Sequence, residues 1–234
     1  MKAPAVVSRD EWLAARKDLL ADEKAFLRRR DALSAKRRQL PWVKVEKNYT
    51  FQAPDGERTL AELFGEKSQL IVQHFMFGED WKQGCPACSF WADGFNGMTI
   101  HMAHRDAAFV AVSNAPYPQL GAYKRRMGWT FDWVSSHGTG FNEDYRVSFT
   151  KEQLESGTAD YTFGTSIGGE ESPGTSIFAK DDAGEVFHTY SCYARGLDNM
   201  NATYQYIDLL PKGRDEKGLQ FPMAWARRHD QYED

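Results

Sequence analysis

The sequence has only three cysteines in 234 residues and no long apolar run. Three cysteines are too few for the disulfide framework of a small secreted protein, and their odd number favours a thiol protein of a reducing compartment. Because no run of 18 apolar residues is present, we expect no membrane-spanning helix. The first residues contain no apolar segment ahead of their charges, so we also expect no signal peptide and a cytoplasmic location.

The chain has no excess of positive charge. Its 29 Lys and Arg residues stand against 33 Asp and Glu residues, which gives a formal net charge of −4 and no general signature of nucleic-acid binding. Aromatic residues are frequent, at 14%, so we expect a core built on Phe, Tyr and Trp.

One short motif carries recognisable chemistry. Cys85-Pro86-Ala87-Cys88 directly follows the strand-like run Leu70–Phe77. A Cys-x-x-Cys pair that follows a strand and opens a helix is typical of proteins that make and break disulfides. Backbone N–H groups and the helix dipole would stabilise the Cys85 thiolate, which makes Cys85 the candidate nucleophile and Cys88, one turn on, the candidate resolving thiol. Pro86 suits the first helical position because its missing N–H would be unpaired there.

Residues 1–41 are expected to form a helical extension. Ser8 and Glu11 make a capping box ahead of apolar residues at helical spacing. The pattern predicts one long or two consecutive amphipathic helices ending before Pro41. An apolar stripe on such a helix is compatible with a homodimer.

Residues 42–210 are expected to form one α/β domain, followed by a polar tail, 211–234, packed on or near it. After the Cys pair, residues to about His104 are predicted to be mainly helical, with a break near Asp93-Gly94. The last two strands form a predicted hairpin. This order predicts a mixed sheet with helices on both faces, as in thioredoxin-like proteins elaborated like peroxiredoxins by an N-terminal strand and an insertion between the halves. The predicted strands are Leu70–Phe77, Ala108–Ser113, Thr130–Ser135, Thr175–Lys180 and Glu185–Cys192.

Five stretches also resemble one known family, namely Gly84–Asp93, Ser172–Phe178, Tyr190–Asp198, Pro211–Glu216 and Phe221–Trp225. The sequence is similar there to a bacterial thioredoxin-like family of unknown function, described as predicted dithiol–disulfide oxidoreductases. The resemblance covers most of the chain. It implies a thiol or disulfide substrate and an external thiol reductant, with no metal and no organic cofactor. Cys192 is not a required cysteine of that pattern.

Four further residues are candidates for the site. In thioredoxin-like folds a cis-proline begins the strand that faces the dithiol, and its neighbour's backbone pairs with bound substrate. Ser172-Pro173 occupies that place. The alternative is an ordinary trans-proline that ends a Gly/Ser-rich loop, which the general preference of X–Pro bonds favours. The fold context favours a cis bond and a substrate-binding role, which we expect there. Arg195 follows the last strand and would either anchor an anionic substrate or form a structural ion pair. Trp81, shortly before Cys85, would cover the disulfide or belong to the core or its rim.

Three polar residues have ambiguous patterns. His74 interrupts an apolar strand and would be a buried base or a hydrogen-bonded core histidine. Asp93 is expected to be structural, because Asp beside Gly often caps or turns a helix. Asp198 is expected to cap the final helix.

A zinc site is the main alternative use of the cysteines. Cys85, Cys88, His101 and His104 superficially imitate a two-Cys, two-His finger. The histidine spacing is shorter than the usual three to five residues, and a finger needs a small ββα unit. The strand–Cys-x-x-Cys–helix context therefore disfavours zinc.

Two other functions stay open beside disulfide exchange. The first is a thiol peroxidase of peroxiredoxin type, with Cys85 oxidised to sulfenic acid and Cys88 resolving it. The insertion after Asn114 favours this reading, whereas the absence of the Pro-x-x-x-Thr/Ser-x-x-Cys signature opposes it. The second is a non-catalytic thioredoxin-like binding module with a structural disulfide.

Overall fold

The computed structural model describes residues 4–164 and 169–233, and the chain divides into two compact units, Met1–Pro41 and Trp42–Asp234. The first unit is a single helix, α1, Arg9–Arg37. Its start is fixed as predicted: the Ser8 hydroxyl accepts from the Glu11 N–H, and the Glu11 carboxylate accepts from the Ser8 N–H. The large apolar side chains of α1 are exposed rather than buried.

The second unit contains one sheet. In the described part of the chain its strands are β1 Val43–Lys44, β2 Thr50–Ala53, β3 Gly56–Thr59, β4 Gln69–His74, β5 Ala107–Ser113, β6 Asp132–Ser135, β7 Gly174–Lys180 and β8 Val186–Tyr193. Their order across the sheet is β1-β8-β7-β4-β5-β6-β2-β3.

The pairing directions identify the fold. Strand β4 is parallel to β5 and antiparallel to β7, and β7 is antiparallel to β8. The central order β8-β7-β4-β5, with a helix between the two parallel strands, is the thioredoxin-like arrangement. The β2–β3 hairpin precedes it in the chain, and β6 lies in an insertion between β5 and β7. The predicted fold class, a thioredoxin-like domain with peroxiredoxin-type additions and an N-terminal helical extension, is therefore confirmed.

The α-helices of this unit connect the strands. They are α2 Pro86–Ala92, α3 Phe95–Ala103, α4 Tyr117–Arg126, α5 Phe141–Asp144, α6 Lys151–Glu155 and α7 Ala202–Ile207, with short 3-10 helices at Glu62–Phe64, Ala194–Met200 and His229–Gln231. The predicted break lies between α2 and α3 at Asp93-Gly94. No helix in the described ranges is both long and apolar enough to cross a membrane.

Alternation along the strands separates two cores. Leu70 and Val72 of β4 pack on one face with Phe51, Phe141 and Phe178. The other face carries aromatic rings, including Phe75, Phe109, Trp129 and Trp133, together with Cys88. Neighbouring residues of a strand point to opposite faces. The dithiol therefore belongs to the second, aromatic core.

The cap of the final helix was predicted wrongly. Asn201, not Asp198, caps α7, because its side-chain oxygen accepts from the Tyr204 N–H at 2.9 Å. Asp198 lies within the preceding 3-10 helix and pairs with Arg214 at 2.9 Å. Both residue types are good N-caps, so local preference alone could not choose between them.

Candidate active site

The two cysteines lie where the chain turns from β4 into α2. Cys85 is the N-cap of α2, and Pro86 occupies its first turn, as predicted. The Cys85 N–H donates to the Met76 carbonyl at 3.0 Å, which ties the start of the helix to the segment after β4. Cys85 is partly exposed and Cys88, one turn further in, is buried. The outer thiol is thus the accessible one.

The two thiols have different electrostatic environments. Cys85 and Cys88 lie 4.1 Å from each other. The neighbouring Cys88 thiol lowers the pKa of Cys85 below that of an ordinary thiol; burial opposes this, while backbone N–H groups at the start of α2 and the Arg228 charge add to it. Proximity to Cys85, together with burial, raises the pKa of Cys88. Cys85 is therefore the more acidic thiol of the pair.

Arg228 supplies a positive charge that the sequence did not lead us to expect. Its Nη2 and Nε donate to the Gly84 carbonyl at 2.6 and 3.1 Å, and Nε also donates to the Tyr123 hydroxyl at 2.9 Å. The Tyr123 and Ser89 hydroxyls lie 2.9 Å apart, and Ser89 donates to the Cys85 carbonyl at 2.8 Å. A polar chain therefore runs from the C-terminal tail to the backbone of Cys85.

Gly84 leaves room for this arrangement. A Cβ atom on Gly84 would lie 2.6 Å from Cε1 of Phe75 and 3.0 Å from Cε1 of Tyr123. Both rings are buried, so neither can move away cheaply. The backbone before Cys85 approaches the aromatic core closely because residue 84 has no side chain.

A cavity of about 520 Å³ brings together residues that the sequence singled out separately. Cys88, Pro173 and Arg195 all line it. Pro173 directly precedes β7, and Arg195 follows β8, so the antiparallel pairing of β7 with β8 places both beside α2. The remaining lining residues include Gln73, Met76, Trp91, Leu197, Phe221 and Met223.

The bond before Pro173 is trans, not cis as expected. The trans form of an X–Pro bond is intrinsically favoured, and the backbone on both sides of this one is held in other ways. The Ser172 N–H donates to the Val147 carbonyl at 2.8 Å, and the Pro173 carbonyl accepts from the Tyr161 hydroxyl. Ser172 is buried by these contacts.

Two other predicted residues lie at the margins of the site. The Arg195 side chain is 88% exposed and pairs with Asp198 at 3.1 Å, so its guanidinium stands at the mouth of the cavity. Trp81 packs against the aromatic core and lines a separate cavity with Tyr123 and Arg126. It is not among the residues that line the Cys88 cavity.

Two buried polar residues, Glu171 and His74, lie outside the wall of the Cys88 cavity. Burial raises the pKa of Glu171 to about 7, although Ser148 and Asn114 donate hydrogen bonds to its carboxyl group. His74 is fully buried and its Nε2 lies 2.8 Å from the Ser176 hydroxyl. Its ring stacks on Tyr145 in the first core, so it is a core histidine on the face away from Cys88.

The alternative ligands for zinc lie on α3 or just after it. His101 is in the last turn of α3, and His104 caps its C-terminus. Within residues 4–164 and 169–233, no three His, Cys, Asp or Glu side chains are grouped as metal ligands would be. Asp93 has a structural role, because it accepts from the Trp129 indole N–H at 2.9 Å and lies 2.6 Å from Nδ1 of His229.

The model of one family, described as bacterial protein of unknown function (DUF899), matches residues 1–232. No curated protein matches the chain in sequence.

Several solved structures are similar in fold. A mutant of PrxQ from Xylella fastidiosa is 13% identical, with 70% of this chain and 94% of that chain covered and a TM-score of 0.44. The bacterioferritin comigratory protein of Xanthomonas campestris is 14% identical, with 69% of this chain and 94% of that chain covered and a TM-score of 0.47. The peroxidoxin BcpB of Mycobacterium tuberculosis is 16% identical, with 72% of this chain and 97% of that chain covered and a TM-score of 0.44. Similarities this distant assign no reaction, which has to come from the site itself.

Proposed function

We propose that this chain, which belongs to the DUF899 family of bacterial proteins, is a thiol–disulfide oxidoreductase whose reactive pair is Cys85 and Cys88. The observation that carries the proposal is the asymmetry of the pair. The more accessible sulfur is at the N-terminus of α2 and has the lowered pKa, whereas the buried one, 4.1 Å away, has the raised pKa. An attacking thiol and a resolving thiol need this difference.

The reaction follows from these positions. The Cys85 thiolate attacks one sulfur of a substrate disulfide, the substrate S–S bond breaks, and the leaving thiolate takes the electron pair. The new mixed disulfide joins Cys85 to the other half of the substrate. Cys88 then loses its proton and attacks the Cys85 sulfur, which releases the second thiolate and leaves a Cys85–Cys88 disulfide. An external thiol returns the two electrons and restores the dithiol.

Substrate binding is assigned to the cavity beside Cys88. Pro173 would form its wall, Ser172 would hold the backbone before Pro173, and Arg195 would attract an anionic group at the mouth. Pro86 would support the start of α2, and Trp81 would pack behind the nucleophile. No metal or organic cofactor enters this scheme.

The setting of the protein is also part of the proposal. A reduced dithiol as the resting form suits a cytoplasmic protein. The exposed apolar side chains of α1 suit pairing with α1 of a second copy, as a homodimer would provide. Sedimentation of the full chain, compared with a variant carrying Leu20→Lys and Leu27→Lys, tests the dimer.

The function is tested by reducing a 2-pyridyl disulfide with an excess of an external thiol. We expect the wild-type chain to accelerate release of the thione, Cys85→Ser to abolish the acceleration, and Cys88→Ser to accumulate a mixed disulfide on Cys85, visible by mass spectrometry. An intact acceleration in Cys85→Ser would overturn the proposal. Peroxide consumption by Cys85 faster than disulfide exchange would instead favour the peroxidase alternative.

A further inference from the structure

The cavity beside Cys88 is closed on one side by the C-terminal tail. Phe221, Pro222 and Met223 line it together with Cys88 and Trp91 of α2. These three residues belong to the tail, 211–234, that follows the thioredoxin-like elements. What would be an open groove beside the dithiol is therefore a pocket.

Several polar contacts hold the tail against the domain. A single carboxylate oxygen of Glu216 accepts from the Tyr204 hydroxyl at 2.6 Å, from the Trp225 indole N–H at 2.8 Å and from the Met223 N–H at 3.0 Å. Further on, Arg228 binds the Gly84 carbonyl. Met223 itself adopts a φ of 68°, which is unfavourable for a residue with a side chain and persists only where contacts enforce it. Contacts within the protein therefore hold Met223 in the wall of the cavity.

The charged residues in the wall are already paired. Arg214 binds Asp208 and Asp198, each through hydrogen bonds of 2.8 to 2.9 Å, and its guanidinium lies 3.8 Å from the centre of the Tyr204 ring. Glu216 is occupied by its three donors. Groups that are satisfied within the protein gain little from a ligand.

Apolar side chains form most of the remaining wall. Met76, Trp91, Leu197, Phe221 and Met223 face the space beside Cys88. At about 520 Å³, the cavity is within the range of small-molecule sites, roughly 300 to 1,000 Å³. Methionine and aromatic side chains adapt well to apolar groups of varied shape.

We infer that the substrate is a low-molecular-weight disulfide that carries an alkyl or aryl group, and that this group occupies the pocket between α2 and the C-terminal tail. The inference rests on the proposed function, because it assigns the substrate of the same dithiol. With the apolar group in the pocket, its sulfur is next to Cys88, and Cys85, which does not line the pocket itself, lies 4.1 Å from Cys88. Attack by Cys85 on that sulfur expels the other half of the disulfide, and attack by Cys88 then releases the apolar thiol.

The test uses 2-pyridyl disulfides with ethyl, butyl or hexyl groups and the 2-pyridyl disulfide of glutathione. All share one leaving group, and each rate constant is divided by that of N-acetylcysteine with the same probe. We expect the normalised rate constant to rise by up to about fourfold for each added methylene. The glutathione probe has no apolar group for the pocket and only Arg195 at the mouth to attract it, so it should react more slowly than the hexyl probe. Equal normalised rate constants for all four probes would overturn the inference.

Two tail variants locate the effect. Met223→Gln keeps the length of the side chain but makes the wall polar. It should reduce the ratio of the normalised rate constant for the hexyl probe to that for the ethyl probe severalfold. Leu219→Gln is the matched control, because Leu219 is partly exposed on the same tail and does not line the pocket; its ratio should equal that of the wild type.

The outcomes separate the inference from the function on which it rests. If no probe yields a Cys85 adduct and no alkanethiol is released, the proposed function fails. If every probe is reduced through Cys85 and Cys88 with no preference for chain length, the function stands and the substrate class is wrong. If the preference exists but is unchanged in Met223→Gln, the tail is not part of the pocket.

Discussion

Arg228 donates two hydrogen bonds to the carbonyl oxygen of Gly84, 144 residues earlier in the chain, through Nη2 at 2.6 Å and Nε at 3.1 Å. Gly84 directly precedes Cys85, so this contact brings a fixed positive charge from the tail to the proposed nucleophile. Arg228 is one of the groups that lower the pKa of Cys85. The tail therefore contributes to the chemistry of the dithiol as well as to the shape of its pocket.

Replacing Arg228 by Gln should raise the pKa of Cys85, because it removes a charge that favours the thiolate. The rate of alkylation by iodoacetamide at neutral pH should then fall roughly threefold. The measurement is the pH profile of alkylation on a Cys88→Ser, Cys192→Ser background, so that one thiol is followed.

Two controls separate charge from structure. Arg228→Lys keeps the charge and should retain most of the wild-type profile. Arg126→Gln removes the ion pair that Arg126 forms with Asp230 of the same tail, at 2.7 Å, while leaving Arg228 in place. If Arg126→Gln shifts the profile as much as Arg228→Gln does, tail attachment rather than the Arg228 charge sets the pKa.

Cys88 should influence Cys85 before any disulfide forms. The Cys88 thiol, which can donate to Cys85, is the largest cause of the lowered pKa of Cys85. Cys88→Ala removes the donor and should shift the alkylation profile of Cys85 to higher pH, whereas Cys88→Ser keeps a hydroxyl donor and should shift it less. Coincident profiles for the two variants would show that the hydrogen bond is unimportant and that burial and backbone N–H groups control the thiolate.

The dithiol was predictable because its determinants are local. A strand, a Cys-Pro-x-Cys sequence and a helix occur in consecutive residues, and their propensities agree with the structure at Cys85, Pro86 and Cys88. The proximity of Pro173 was also predictable, since the strand order places the start of β7 beside the end of β4.

The tail contacts were not predictable from the sequence. The stretch Phe221–Trp225 was noticed for its resemblance to a family, but nothing local indicates that it faces Cys88. Its position depends on Glu216 and Arg228, whose partners are distant in the chain. The trans bond at Pro173 was missed because the expectation came from fold analogy, whereas the local backbone is fixed by Val147 and Tyr161.

Glu171 should make the stability of the protein depend on pH in the opposite sense to an ion-paired carboxylate. Burial raises its pKa from 4.5 in a model peptide to about 7 in the folded state. Between these values the folded state binds more protons than the unfolded state, so the free energy of unfolding falls as the pH rises. The full effect of this one group is about 3 kcal/mol.

Glu171→Gln removes this dependence while keeping an acceptor for the Ser148 hydroxyl. The free energy of unfolding of the variant, minus that of the wild type, should increase with pH between about 4.5 and about 7, the window set by the two pKa values. Denaturant unfolding at a series of pH values measures the difference, in which the contributions of the buried histidines cancel. A difference that stays flat across this window would mean that Glu171 is ionised in the folded protein throughout.

Tyr161 should couple the two loops of the pocket, because one hydroxyl serves both. It donates to the Pro173 carbonyl and accepts from the Ala194 N–H at 3.0 Å, and the ring is fully buried. Tyr161→Phe leaves both backbone groups without this partner, which should lower the free energy of unfolding by about 1–3 kcal/mol. Tyr206→Phe, at a side chain that is 75% exposed, is the matched control and should have little effect.

Because Pro173 and Ala194 line the pocket, the normalised rate constant for the hexyl probe should also fall in Tyr161→Phe, whereas the rate of alkylation of Cys85 by iodoacetamide should not change. A loss of stability with an unchanged preference for the hexyl probe would restrict Tyr161 to a structural role.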